Sequence, residues 1–200
     1  MKPENSDDDS VLVLGIGNVL WADEGFGVRA VQELHRRWCF APRVRLAEGG
    51  TLGFNLLYLV QDARRLIVFD AIDYGLAPGT LKILRNDQVP RFMGSKKLSL
   101  HQTGFQDVMA VAELTGRLPA ELVLIGVQPE DMEDYGGSLR PAVKAQIEPA
   151  LECALDYLRR WGCVAEARSA ALAGADYLLP ESLDLAAYES GRAGAAAGGA

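Results

Sequence analysis

Residues 11–38 read VLVLGIGNVLWADEGFGVRAVQELHRRW, and the order of events within them decides the fold. Val11 to Ile16 is a continuous apolar run carrying Gly15 and followed by Gly17, the pattern of a strand buried on both faces. A loop, Asn18 to Gly25, comes next. Val28, Val31, Leu34 and Trp38 then recur at helical spacing.

The same alternation continues outward. Val44 to Ala47 reads as a second strand, closed by Glu48-Gly49-Gly50-Thr51, and residues 52–61 as a second helix. Leu66 to Phe69 is a third short strand with Asp70 at its end. Pro78-Gly79 marks a turn before a strand at Thr80 to Leu84. Val89 to Leu100 holds Pro90, Gly94 and Lys96-Lys97 and is expected to be a loop. Thr103 and Gln106 have capping-box spacing and open a helix to about Leu114. Leu122 to Val127 is the last core strand. A final helix is expected from about Pro141 to Arg160, with Val143, Ile147, Ala150, Leu151, Ala154, Leu155 and Leu158 on its apolar face and a kink at Pro149. Strands alternating with helices give an α/β fold: a three-layer sandwich with a mostly parallel twisted sheet, flavodoxin-like or phosphorylase/hydrolase-like. One domain is expected over residues 11–162. Residues 1–10 read as a disordered lead. Residues 163–200, rich in Ala and Gly, read as a disordered tail with at most a short helix around Tyr177 to Tyr188.

Composition narrows the function. Apolar residues are 49% of the 200, enough for a real core, and charged residues are 24%. A net charge of -7 opposes a nucleic-acid role, because such binders need a basic surface. No apolar run is long enough to span a bilayer, and the polar, acidic start is unlike a signal peptide. Cys39, Cys153 and Cys163 are far apart and form no CxxC pair, which fits reduced thiols in a cytoplasm. A cytoplasmic monomer with no membrane partner is the expectation.

In an open parallel sheet, ligands bind outside the carboxyl ends of the strands. That rule selects Glu24 after the first strand, Glu48 at the end of the second and Asp70 at the end of the third. In a flavodoxin-like order the first and third strands are neighbours, so Glu24 and Asp70 face one crevice. His101, expected in a loop just before a helix, is placed to reach it. Two carboxylates and an imidazole form an O/O/N set suited to a divalent transition metal with open positions. Other readings stand beside these. Glu24 would also serve as a charge at a helix N-terminus. His35, inside the first helix, reads as a packing or surface residue, and Lys96 and Lys97 as a solvated loop tip.

Several known motifs fail. Gly15-x-Gly17 lacks the third glycine of a dinucleotide fingerprint, where Leu20 stands, although Glu48 sits where a ribose ligand could. There is no P-loop, no H-E-x-x-H and no G-x-S-x-G. The segments around Asp23 and Asp70 do not match as an aspartic-protease pair would.

The ordered set Gly15-Ile16-Gly17-Asn18, Asp23-Glu24-Gly25-Phe26-Gly27-Val28, Gly49-Gly50-Thr51, Asp70-Ala71-Ile72, Pro78-Gly79-Thr80, Ser99-Leu100-His101-Gln102 and Gly126-Val127-Gln128-Pro129 resembles the nickel-iron hydrogenase maturation endopeptidases. It runs from about Val11 to Gly162, and the tract Trp21-Ala22-Asp23-Glu24 with Asp70-Ala71-Ile72-Asp73-Tyr74-Gly75 looks most like the branch serving membrane-bound uptake hydrogenases. The resemblance implies a peptidase, metal-dependent or aspartic in type. It would remove the C-terminal extension of the hydrogenase large-subunit precursor after nickel insertion. It further implies a metal site at Glu24, Asp70 and His101 that recognises nickel supplied by the precursor, with no resident organic cofactor. Glu48 stands where the family commonly has Asp. The alternatives are a nucleotide-binding α/β module built on Gly15, Gly17 and Glu48, and a non-catalytic chaperone of the precursor. Removal of residues 165–200 is expected to leave specific processing largely unaffected.

Overall fold

A computed structural model describes residues 9–50, 53–89, 100–170, 172 and 176–197. In chain order its elements are β1 (Val11–Ile16), α1 (Phe26–Arg37), β2 (Trp38–Phe40), β3 (Val44–Gly50), α2 (Leu57–Asp62), β4 (Arg65–Ala71), β5 (Leu81–Arg85), α3 (Leu100–Leu114), β6 (Glu121–Val127), α4 (Pro141–Lys144), α5 (Ile147–Arg160), β7 (Ala165–Ala167) and α6 (Leu185–Ala197). The main sheet has the order β3-β1-β4-β6-β5. β1 pairs in parallel with β3 and β4, and β4 with β6, while β5 is antiparallel to β6. The sheet is therefore mixed and mostly parallel.

Side-chain alternation sorts the core into two layers. Val11, Val13, Ile67 and Phe69 pack with Val31 and Leu34 of α1 and with Leu151 and Leu158 of α5. Leu12, Leu14, Leu66 and Val68 face the other way, against Val60 of α2 and Phe105, Val108 and Ala112 of α3. Every residue of β1 is buried, as its unbroken apolar run requires. The chain leaves β1 over one face to reach β3, then crosses β1 again to reach β4. The carboxyl ends of β1 and β4 thus flank the switch point, where α/β folds hold their ligands.

Four expectations need correction. The final helix is two helices: α4 ends at Lys144, α5 begins at Ile147, and Pro149 lies in the first turn of α5. A proline there removes an N–H that has no helical partner anyway, so it starts the helix and does not kink it. α3 begins at Leu100, ahead of Thr103. No Gly or Pro separates these positions, so nothing stops the helix from extending backward past the capping-box signal. Trp38 begins β2 instead of ending α1.

The tail is the fourth. β7 pairs antiparallel with β2, Trp38 opposite Ala167 and Phe40 opposite Ala165. A 3-10 turn at Glu181–Leu183 then leads into α6. Leu179 is buried, and Leu178 and Leu185 pack against the α1/α5 core. A few leucines anchor a segment whose average composition is that of a flexible chain. At the other end, Asp9 pairs with Arg43 and Arg65, and Ser10 donates to the Asp62 carbonyl at 2.8 Å. The loop expected between Val89 and Leu100 lies outside the described residues from 90 to 99.

Candidate functional site

Glu24 sits in a 3-10 turn, Ala22–Gly25, between β1 and α1. The turn is held from beneath by its neighbour. Asp23 is fully buried. One of its carboxylate oxygens accepts the backbone N–H groups of Glu130 at 2.8 Å and Asp131 at 2.9 Å; the other accepts that of Arg140 at 2.7 Å. Its own N–H donates to the Asp131 carbonyl at 3.0 Å. These bonds to a buried charge are of the strong kind and satisfy it without a cation. Trp21 adds an edge-to-face contact with Tyr135 at 5.1 Å. Ala22 takes φ +38, a left-handed conformation costing a non-glycine residue about 1–2 kcal/mol. The fixed partners on either side hold that strain next to Glu24.

Two close approaches bring this turn onto the switch point. A β-carbon on Gly17 would lie 1.8 Å from the Glu24 carbonyl oxygen. One on Gly27 would lie 2.2 Å from the carbonyl oxygen of Phe69 in β4 and 2.3 Å from that of Ile16 in β1. The start of α1 is therefore wedged between the two strand ends, with Glu24 above β1 and Asp70 the next residue after Phe69. Gly15 serves the same wedge, since its β-carbon would meet the Gly27 carbonyl at 2.2 Å. Close packing accounts for Gly15 and Gly17 without a phosphate.

Asp70 is buried, at 1% exposure, and pairs in register with Gly126 of β6. By alternation it faces the α3 side of the sheet, two residues beyond Val68. Tyr74 folds back over Gly126. Burial, and then the Asp70 charge, raise the Tyr74 phenol above its ordinary value. The loop carrying Tyr74 is pinned by Gln128, whose side-chain oxygen accepts the N–H of Tyr74 at 2.7 Å and of Leu76 at 3.1 Å. The Gln128 amide donates to Asp73 at 3.1 Å and to the Pro129 carbonyl at 3.2 Å.

His101 is described by its backbone alone, as the second residue of α3. α3 ends near the amino ends of β4 and β6, where Ala120 N–H meets the Arg64 carbonyl. Its 15 residues span about 22 Å at helical rise, much the same as a seven-residue strand at about 23 Å. Its first turn therefore lies at the carboxyl edge, level with Asp70. Among the described residues no group of three or more His, Cys, Asp and Glu is close enough to hold a metal.

Glu48 lies farther along the same edge, opposite Gly15 in β3. Its carboxylate curls over Gly50, and burial pushes its carboxyl above the ordinary value. It lines a cavity of about 260 Å³ with Gly17, Asn18, Val19, Leu20, Gly50, Leu179 and Leu183. His35 is structural, its Nε2 donating to the Asp176 carbonyl at 2.8 Å. Asp23, Tyr74 and Gln128 had no role in the sequence reading. The signal was present for two of them, in Asp23-Glu24-Gly25 and Gly126-Val127-Gln128-Pro129.

Comparison with known proteins shows the family. Residues 28–157 match the HycI family profile, described as hydrogenase maturation protease. The hydrogenase expression/formation protein HoxM of Azotobacter vinelandii is 61% identical over 183 residues, 92% of this chain and 87% of that one. HupD of Bradyrhizobium diazoefficiens, with the same description, is 56% identical over 187 residues, 94% of this chain and 97% of that one. The solved structure of the hydrogenase maturating endopeptidase HybD from Escherichia coli superimposes with a TM-score of 0.76 at 43% identity, covering 80% of this chain and 98% of that chain.

Proposed function

The chain belongs to the hydrogenase maturation proteases, and from that premise we propose how its site works. The enzyme is a peptidase that removes the C-terminal extension of a nickel-iron hydrogenase large-subunit precursor, of the uptake type. The precursor's nickel, already held in the substrate, is recognised by Glu24, Asp70 and His101. The observation that carries this reading is the wedge of α1 between β1 and β4, which sets Glu24 and Asp70 at one switch point.

Hydrolysis requires a water to add to the scissile carbonyl carbon, the C–N bond to break and the new amine to take a proton. Two carboxylates at the mouth of a sheet suit the first and last steps by orienting the water and moving its proton. A metal arriving with the substrate would act as a template and polarise the carbonyl. Tyr74 is neutral and lies close enough to Asp70 to feel its charge. The reaction is placed in the cytoplasm, with the enzyme acting as a monomer and carrying no organic cofactor. No helix among the described residues is long and apolar enough to cross a membrane.

The test is incubation of nickel-loaded precursor with the purified chain, read by the mass of the large subunit. Loss of the extension with wild type, and its retention with Asp70→Asn and Glu24→Gln, is the expected result. Binding without cleavage by wild type would make the protein a chaperone of the precursor instead.

A further inference from the structure

The outer face of α1 would be solvated if the α/β core stood alone. Arg29 and Gln32 lie on it, yet they are 2% and 3% exposed. The C-terminal segment covers Arg29. Arg29 donates to the Leu183 carbonyl, and its guanidinium lies 5.4 Å from the centre of the Tyr188 ring. Glu189 accepts hydrogen bonds from Ser138 at 2.8 Å and from Lys144 at 2.7 Å. With the His35 bond to Asp176, these contacts fix the segment from 176 to 189 at several points along its length. It lies beyond the stretch shared with the family profile.

Docked this way, the segment reaches the carboxyl edge of the sheet. Leu179 and Leu183 form one side of the 260 Å³ cavity. The facing side is the loop 17–20, which leads directly into the turn bearing Glu24, and Glu48 supplies a carboxylate.

We propose that the C-terminal segment is a wall of the substrate cleft. Leu179 and Leu183, with Val19, Leu20 and Glu48, form a subsite for one long side chain of the precursor, apolar in its stem and cationic at its end. The inference rests on the endopeptidase reading above. It reverses the expectation that the tail is dispensable. Arg29 is a positioning residue here: it acts by holding the segment in place.

The experiment uses the full chain and nickel-loaded precursor, with Kd measured by biolayer interferometry and KM and kcat by processing. Three variants are compared with wild type: Leu179→Ser/Leu183→Ser, Arg29→Met, and a chain ending at residue 175. The expected result is a roughly tenfold rise in Kd and KM for all three, with the loss in KM and not in kcat, the size of effect a hydrophobic subsite exerts. Alanine substitutions of the precursor's basic residues near the scissile bond, made singly, locate the occupant. At one of them the penalty of the leucine variant should disappear, the signature of a coupled pair. Unchanged Kd and KM in the two point variants, or strict additivity at every precursor position, would overturn the proposal. Precursor binding by wild type without cleavage would sink the endopeptidase reading alone, because the Kd comparison still reads the wall.

Discussion

The hydroxyl of Tyr74 occupies the space that a side chain on Gly126 would need: a β-carbon there would lie 1.9 Å from Oη and 2.8 Å from the ring carbon bearing it. Gly126 is the register partner of Asp70, so a glycine in β6 is what lets an aromatic ring lie beside the buried carboxylate.

Gly126→Ala should therefore displace Tyr74 and destabilise the fold by about 1–3 kcal/mol, the usual cost of overpacking. Processing should fall further than stability accounts for, because Asp70 loses its neighbour. Adding Tyr74→Ala should recover much of the stability but not the activity. Urea melts and precursor processing, run on the single and double variants, check both parts. Equal recovery of activity would show that the ring only fills space.

Asp23→Asn removes the charge while keeping the shape. An amide has one acceptor oxygen for N–H groups that now meet two, and its NH₂ faces a donor. The expected loss is about 1–3 kcal/mol, with Asp23→Ala at or beyond the upper end. Processing should fall in both, since the turn carrying Glu24 loses its anchor. Denaturation midpoints measured beside processing rates test this, and wild-type stability in Asp23→Asn would remove the clamp from the account.

The fold was legible wherever apolar runs were long and uninterrupted, as in β1, β4 and β6, where burial on both faces leaves no other reading. The positions of Glu24, Asp70 and Glu48 near the carboxyl ends of strands were legible because strand ends are. What escaped were roles that depend on partners far along the chain. Nothing near Asp23 reveals that its acceptors serve the backbone around residue 130, and nothing near Arg29 reveals the segment that covers it. The tail escaped for a related reason. Composition averages over many residues, and Leu179 and Leu183 act as individuals against a helix they are distant from in sequence.

Glu48 gives a pH prediction with a definite sign. Burial raises its carboxyl above the ordinary 4.5, so the folded state favours the protonated form. Its stabilising contribution is fully present below 4.5 and is lost as pH rises through the raised value, leaving an ionised, partly buried carboxylate at neutral pH. Glu48→Gln should accordingly stabilise the protein at pH about 7, and the gain should shrink to nothing by about pH 4. Urea melts of the two proteins at both pH values decide it. A gain that persists at the lower pH would trace to packing instead of charge.

The proposed metal chemistry also makes a prediction about composition. The purified enzyme should carry little tightly bound metal, and nickel-free precursor should remain uncut. The candidate ligands come from separate elements and lack a paired-histidine motif on one helix, the arrangement that holds zinc firmly. Elemental analysis of the enzyme, beside assays on precursor with and without nickel, separates the possibilities. Stoichiometric zinc together with rapid cleavage of nickel-free precursor would replace shared nickel with a resident catalytic metal.

The Asp23 clamp has a consequence for the order in which the molecule is built. Its bonds join residues 107, 108 and 117 positions apart, across most of the α/β core. Contacts of such separation form late, because the long loop they close must be ordered before they are gained. A chain still emerging from the ribosome has not yet supplied Glu130, Asp131 or Arg140, and so has nothing to hold the strained turn at Ala22. The clamp beneath the turn that carries Glu24 is thus completed only once the chain has emerged past Arg140.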